Sequence, residues 1–253
     1  MQIITSPSPN FDERRNGARP ELIVMHYTGM ESGAAALARL CDAAAKVSSH
    51  YLVEEDGRVF ALVEESQRAW HAGHGEWRRR DDINSHSIGI ELVNPGHEFG
   101  YRPFPQAQIA AVRDLSLAIM ARHGIVPQDV IAHSDLAPSR KTDPGELFPW
   151  EELAAAGVGV YPPPLTQHDE NFVPLKCGDH GHLVTVMQEE LIAYGWHCPT
   201  SGRFDQTTVE AVLAFQRHFR GSRVDGVWDG DCARIMNWLL GERNPFTCHS
   251  PQG

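Results

Sequence analysis

Residues 130–145 read V-I-A-H-S-D-L-A-P-S-R-K-T-D-P-G. A short apolar run, Val130–Ala132, delivers His133 at its end. Ten residues later Asp143 stands just ahead of Pro144 and Gly145, with Lys141 two residues before it. Upstream, the longer apolar run Leu22–Met25 likewise ends in a histidine, His26. Two histidines from separate strand ends and a carboxylate from a loop make a candidate three-ligand zinc site. Its fourth position stays open to water, as hydrolysis requires. Imidazole and carboxylate suit zinc without any cysteine. Taken singly, each histidine reads more simply as a strand-end side chain at the surface; the set of three carries the reading.

Outward from these strands, short apolar and helix-like segments alternate. Leu22–Tyr27, Ser49–Val53, Val59–Val63, Ser87–Val93 and Val130–His133 are β-branched or apolar runs bounded by turn residues, and Glu55-Asp56-Gly57 fits a hairpin turn. Ser32 is placed to cap a helix through about residue 46, with Leu37, Leu40, Cys41 and Ala44 on one face. Pro105 opens a second helix that ends near His123 with Gly124 as its stop; Ile109, Val112, Ile119 and Met120 are its buried stripe. The pattern predicts an α/β fold, a mixed central sheet flanked by helices.

Residues 157–174, with three consecutive prolines and an aperiodic polar run, read as a linker. The expected organisation is a first domain over 1–158, a linker over 159–174 and a small three-helix bundle over 175–253. In the bundle, Leu183, Met187 and Leu191 recur every four residues, Thr207 and Glu210 fit a capping box, and Ile235, Met236 and Leu239 form a third stripe. This part lacks a cluster suited to chemistry and reads as a binding or targeting module.

Glu91 lies in S-I-G-I-E-L, where alternation puts Ser87, Gly89 and Glu91 on one face and Ile88, Ile90 and Leu92 on the other. A glutamate in an apolar strand needs a partner or a cleft. It is either a rim residue or a general base. Lys141 is either a solvated loop lysine or a cation for a developing oxyanion. His71 and His74, three apart beside Trp70, are a rival metal pair, more simply read as a ligand-facing rim.

The net charge of −11 over 253 residues excludes nucleic acid as the expected partner, since phosphate binding needs basic surface. No apolar stretch approaches the roughly 20 residues that span a bilayer. The first residues have no basic start followed by an apolar segment, so no secretory leader is expected. That leaves a leader removed ahead of Met1, a cytosolic protein, or one that leaves the cell by a route that reads no leader. Five cysteines, Cys41, Cys177, Cys198, Cys232 and Cys248, are scattered. Reduced thiols are the simpler expectation, with a disulfide or two possible in the C-terminal part.

At this point the residues match a family. The chain resembles the bacterial zinc-dependent N-acetylmuramoyl-L-alanine amidases of the AmpD and AmiD type, related in fold to peptidoglycan recognition proteins. The matching pieces are I-V-M-H-Y-T-G at 23–29, S-S-H-Y-L-V at 48–53, A-W-H-A-G at 69–73, N-S-H-S-I-G-I-E-L at 84–92, A-H-S-D-L-A-P-S-R-K-T-D-P-G at 132–145 and F-P-W at 148–150. The resemblance implies zinc on His26, His133 and Asp143, Glu91 as the base and Lys141 as oxyanion stabiliser. It places Tyr51, Trp70, His71, Asn84 and Arg140 along a substrate groove. The implied reaction is hydrolysis of the amide between N-acetylmuramic acid and L-alanine, in peptidoglycan or muropeptides. L-A-F-Q-R-H-F-R at 213–220 is similar to a run in the peptidoglycan-binding domains of such proteins. The resemblance implies action on the cell wall, in the periplasm or after export without a recognisable leader, with the cytoplasm as the alternative. Two other readings remain: a recognition protein without hydrolysis, and a cytosolic recycling amidase for anhydro-muropeptides.

Overall fold

The computed structural model describes residues 2–165 and 172–242; residues 166–171 of the expected linker, and Cys248, lie outside the described residues. The elements run β1 (Ile3–Thr5), β2 (Phe11–Glu13), β3 (Leu22–Tyr27), α1 (Gly33–Leu40), β4 (Tyr51–Val53), β5 (Val59–Ala61), β6 (Gln67–Ala69), α2 (Ile83–His86), β7 (Ser87–Leu92), α3 (Gly96–Phe99), α4 (Gln106–His123), β8 (Val130–Ala132), α5 (His133–Leu136), α6 (Trp150–Ala155), α7 (His182–Tyr194), α8 (Gln206–Phe219) and α9 (Gly230–Glu242).

The main sheet has the order β1-β5-β4-β7-β3-β8. β3 pairs in parallel with β7 on one side and β8 on the other, and β4 pairs in parallel with β7. Its remaining neighbours, β4 and β5, form an antiparallel hairpin, so the sheet is mixed as expected. Gly57 makes that turn at φ +86°, a conformation that glycine adopts without Cβ strain. Leu22–His26 is buried without a break, as befits a parallel strand covered on both faces.

Alternation sorts the core. Ile23, Met25, Ile88, Ile90, Leu92 and Val130 face α4, where they meet Ile109, Val112, Leu115 and Ile119. Each such side chain contributes about 1.5–3 kcal/mol by leaving water. On the opposite face, Leu52 and Phe60 lie under Ala36 and Leu40 of α1, while Leu22, Val24 and Ile131 join the core of the C-terminal helices. Ser32 caps α1 by accepting from the Ala35 amide at 3.2 Å. That helix stops at Leu40, short of the expected end, where the Asp42 carboxylate accepts from the Ala44 amide and turns the chain. β1, β2 and β6 were not expected: each has three residues, and β1 and β2 are exposed throughout, so they carry no apolar period.

The three C-terminal helices pack through Val184, Met187, Leu191, Val212, Phe215, Ile235, Met236 and Leu239. Leu183, expected in the stripe, faces solvent, because the buried face of α7 runs one residue later through Val184, Met187 and Leu191. The cap of α8 is Asp205, which accepts from the Thr208 amide at 3.1 Å, and not the expected Thr207–Glu210 pair. Their core continues into the sheet domain. Trp77, buried, meets Trp196 edge-on at 5.3 Å and Tyr194 at 6.1 Å. The Arg78 amide donates to the Gly195 carbonyl at 2.9 Å, and a Cβ on Gly195 would lie 2.7 Å from the Trp77 ring. Among the described residues Cys41, Cys177, Cys198 and Cys232 are free thiols.

Glu65 anchors the far end of the sheet. It accepts from Tyr51 at 2.6 Å, Arg122 at 2.5 Å and His123 at 2.6 Å. Burial pushes its carboxyl up, but the bonds from Arg122, Tyr51 and His123 outweigh that and bring it down to about 2. A carboxyl depressed in the folded state stabilises the fold fully above its unfolded value, near 4.5, and loses that contribution as pH falls towards 2. Glu65→Gln is therefore expected to cost about 1–3 kcal/mol at pH 7. The gap from wild type should narrow steadily between pH 4.5 and 2 in urea denaturation, and a gap that stays constant with pH would contradict the assignment.

Candidate metal centre and its cleft

Strand register assembles the site. β3 and β7 align His26 with Glu91, so both side chains leave the same sheet face at neighbouring positions. β3 and β8 align Met25 with Ala132, which brings His133, the next residue, level with His26. The loop after α5 returns with Asp143, tied back by the Ser134 amide donating to the Asp143 carbonyl at 2.9 Å.

The result is a triangle of ligand atoms. His26 Nδ1 lies 2.9 Å from His133 Nδ1 and 3.1 Å from Asp143 Oδ2, and His133 Nδ1 lies 2.9 Å from that oxygen. A tetrahedral ion with bonds of about 2.0–2.1 Å needs edges of roughly 3.3 Å. The triangle is therefore one face of such a tetrahedron, contracted slightly. All three residues are buried. The arrangement fits a divalent metal ion.

Hydrogen bonds behind the triangle set which nitrogens face its centre. His133 Nε2–H donates to the Ala72 carbonyl at 3.0 Å, leaving Nδ1 with its lone pair forward. His26 Nε2–H donates to His71 Nδ1 at 3.0 Å, and His71 Nε2–H donates to Ser87 Oγ at 3.1 Å. Ser87 closes the relay by donating to the Ile83 carbonyl at 2.7 Å. Electrostatics agree. Burial holds His26 down at about 4, with His133 adding to the effect, and holds His71 well below its ordinary value. Burial alone would raise the Asp143 carboxyl, but His133 and His26 overcome it and hold the group ionised. A neutral His26 beside an ionised Asp143 is the pairing of protonation states that a metal selects.

Glu91 stands at the cleft wall with Oε2 buried and without a hydrogen-bond partner among the described residues. Burial raises its carboxyl well above the ordinary range, the Asp143 charge raises it further, and Lys141 opposes. Glu91, Lys141 and the triangle line one cavity of about 500 Å³.

Of the expected groove residues, only Arg140 and His71 line this cavity. Arg140 donates to the Ala72 carbonyl at 2.5 Å and to the His74 carbonyl, so it also braces the loop behind His133. His71 is buried behind His26 and bonds its imidazole, while His74 is exposed and does not join it as a metal pair. Tyr51, Trp70 and Asn84 do not line the cleft. Tyr51 faces the α4 core and Glu65; Trp70 donates through Nε1 to Asp12 at 2.9 Å; Asn84 Oδ1 accepts from the His71 and Ala72 amides. Missing from the expectation were Tyr27 and His97 on the cleft rim. The Tyr27 hydroxyl is bonded to His97 Nδ1 at 2.9 Å and to Thr142 Oγ1 at 3.0 Å. The available signal was positional: Tyr27 is the last residue of β3, directly after His26, and His97 lies in the segment that follows β7, at the end where Glu91 emerges.

The N-acetylmuramoyl-L-alanine amidase family profile matches residues 16–146, slightly over half of the chain. The chain belongs to this family. A peptidoglycan binding domain profile matches residues 180–236 of this amidase. It is 37% identical to the N-acetylmuramoyl-L-alanine amidase AmiD of Escherichia coli, over 94% of this chain and 90% of that one. The 1,6-anhydro-N-acetylmuramyl-L-alanine amidase AmpD of Haemophilus influenzae is 32% identical over 59% of this chain and 89% of its own. Among solved structures, AmiD of E. coli with the substrate anhydro-N-acetylmuramic acid-L-Ala-D-γ-Glu-L-Lys superposes with a TM-score of 0.74 at 34% identity, covering 92% of this chain and 98% of that one. AmpDh3 of Pseudomonas aeruginosa with anhydromuramic pentapeptide gives 0.71 at 30% identity, covering 90% and 93%.

The relay behind His26 in this amidase depends on Gly89, where a Cβ would fall 2.4 Å from His71 Cγ. Gly89→Ala is expected to displace the His71 ring and weaken metal affinity about 10–100-fold, the usual cost of losing a ligand's outer partner. Chelator competition on the folded variant measures this, and unchanged affinity would remove His71 from the relay.

Proposed function

We propose that this amidase hydrolyses the bond between the lactyl carbonyl of N-acetylmuramic acid and L-alanine, in peptidoglycan and its fragments, with Zn²⁺ held by His26, His133 and Asp143. The observation that carries the reading is the contracted tetrahedral face of ligand atoms beside an unpartnered buried glutamate in one cleft. AmiD and AmpDh3, each solved with an anhydromuramyl peptide, support that substrate class. The match at 180–236 favours the polymer, and hence action on the wall outside the cytoplasm, over soluble fragments alone.

Bound zinc supplies Lewis acidity, polarising the carbonyl and acidifying water. The chain's residues do the rest. Glu91 accepts a proton from the attacking water as its oxygen bonds to the carbonyl carbon. Lys141 donates to the oxyanion that develops there. As the C–N bond breaks, Glu91 returns the proton to the departing L-alanine nitrogen, leaving a free peptide amine and a lactyl carboxyl whose remaining water proton is lost to solvent as it ionises. Burial and the Asp143 charge raise the proton affinity of the Glu91 carboxyl, as a group that takes and then returns a proton requires.

The two carboxylates separate under mutation. Asp143→Ala is expected to lose zinc and activity together. Glu91→Ala is expected to keep zinc and lose about 10²–10⁴-fold in turnover, the usual worth of general-base assistance. Metal analysis beside mass analysis of muropeptide cleavage reads both; a zinc-loaded Glu91→Ala with near-normal turnover would falsify the assigned base. Incubation of wild type with intact sacculi and with anhydro-muropeptides decides the substrate form. Release of stem peptides from sacculi is expected, and cleavage of the fragments alone would favour a recycling role.

A further inference from the structure

We propose that His218, on α8 of the C-terminal helices, is a positioning residue for the metal centre: through Asp135 it holds the turn that carries His133. The proposal rests on the assignment of His133 as a zinc ligand. It gives the C-terminal part a place in the chemistry beyond polymer affinity.

The contact chain is short. His218 Nδ1–H donates to Asp135 Oδ2 at 2.7 Å, across 83 residues of sequence. The same oxygen accepts from the Ala132 amide at 2.8 Å, so the Asp135 side chain reaches back over the first turn of α5 to the residue before His133. Asp135 and His218 are both buried, with side chains 0% and 3% exposed. Asp135 Oδ1 has no partner among the described residues, so the bonds to Oδ2 are what compensate this carboxyl for leaving water. The His218 ring is itself fixed between Trp150, at 3.8 Å and 23°, and Phe219, at 4.0 Å and 3°. A clamped ring thus holds a buried carboxyl, and the carboxyl holds the backbone amide next to a metal ligand. Without the His218 donor, Asp135 is buried with a single bond. Turning towards water would then free the Ala132 amide and loosen the His133 approach.

Two roles for His218 are possible, packing and donation, and opposed variants separate them. His218→Phe keeps a ring in the stack and removes the donor. His218→Asn keeps an N–H near the Nδ1 position and removes the stack. Each is made in the full chain. Zinc affinity is measured by chelator competition, and the cobalt-loaded protein's absorption spectrum reports ligand geometry. Positioning predicts that His218→Phe binds zinc about tenfold more weakly, at the low end for outer-shell partners, with an altered cobalt spectrum. It predicts that His218→Asn stays nearer wild type in both readings while melting lower. A folded His218→Phe with wild-type zinc affinity and cobalt spectrum would overturn the proposal. Should His218→Phe not fold, His218→Asn is compared with His218→Ala, both lacking the stack; equal zinc affinity in that pair overturns it as well. Wild type and His26→Ala are run alongside. If wild type binds no zinc, or His26→Ala binds it equally, the ligand assignment has failed and not the role of His218.

Discussion

Parallel pairing of β3 with β7 and β8 is the constraint on which the rest of the molecule depends. Side chains alternate along a strand, so a slip of one residue would send His26 into the α4 core and bring Met25 to the cleft. The apolar residues of β3 prevent this, because Ile23 and Met25 are matched by Ile88, Ile90 and Val130 on the same buried face. The same pattern that buries the core thus aligns His26 with Glu91. The geometry of the candidate site is inherited from hydrophobic sorting, and the loop of Asp143 needs only to close the third side.

Much of this was legible in the chain, for a physical reason. β3, β7 and β8 are apolar runs with turn residues at their ends, and His26 and His133 stand where such runs stop. Short exposed strands such as β1 and β2 bury nothing, so they leave no period. The groove residues were harder. Tyr51, Trp70, His71 and Asn84 lie in motifs shared with the amidases, but a motif does not say which way a side chain turns. For Tyr51 the direction follows once pairing is known: Leu52 aligns with Glu91, so Tyr51 must face the opposite side. His71 reads as a rim histidine in A-W-H-A-G and becomes a buried relay only because Gly89 leaves room for its ring.

Buried polar groups make the loops definite where apolar packing cannot. The Arg14 guanidinium, held at about 10 by burial and so still charged at neutral pH, donates to the carbonyls of Glu65, Asn84, Ser85 and Ser87. Gln188 ties the segment before α8 by donating to the Arg203 carbonyl at 2.9 Å and accepting from the Gly202 amide at 2.9 Å. Gln216 does the same before α9, accepting from the Asp225 and Gly226 amides and donating to the Val227 carbonyl. Each side chain satisfies backbone groups that would otherwise be stranded away from water.

The packing of Trp77 against Tyr194 and Trp196 changes how avidity works in this molecule. A module on a free tether raises the local concentration of its partner by an amount set by linker length, and part of the gain is lost to the many positions the tether explores. Here the two parts share a core, so their separation is a constant of the fold. Linker length does not enter. A strand of polymer held by the helices, as the proposed function requires, would meet the cleft at one offset and one orientation, so that the hold itself would choose which stem along the glycan is presented.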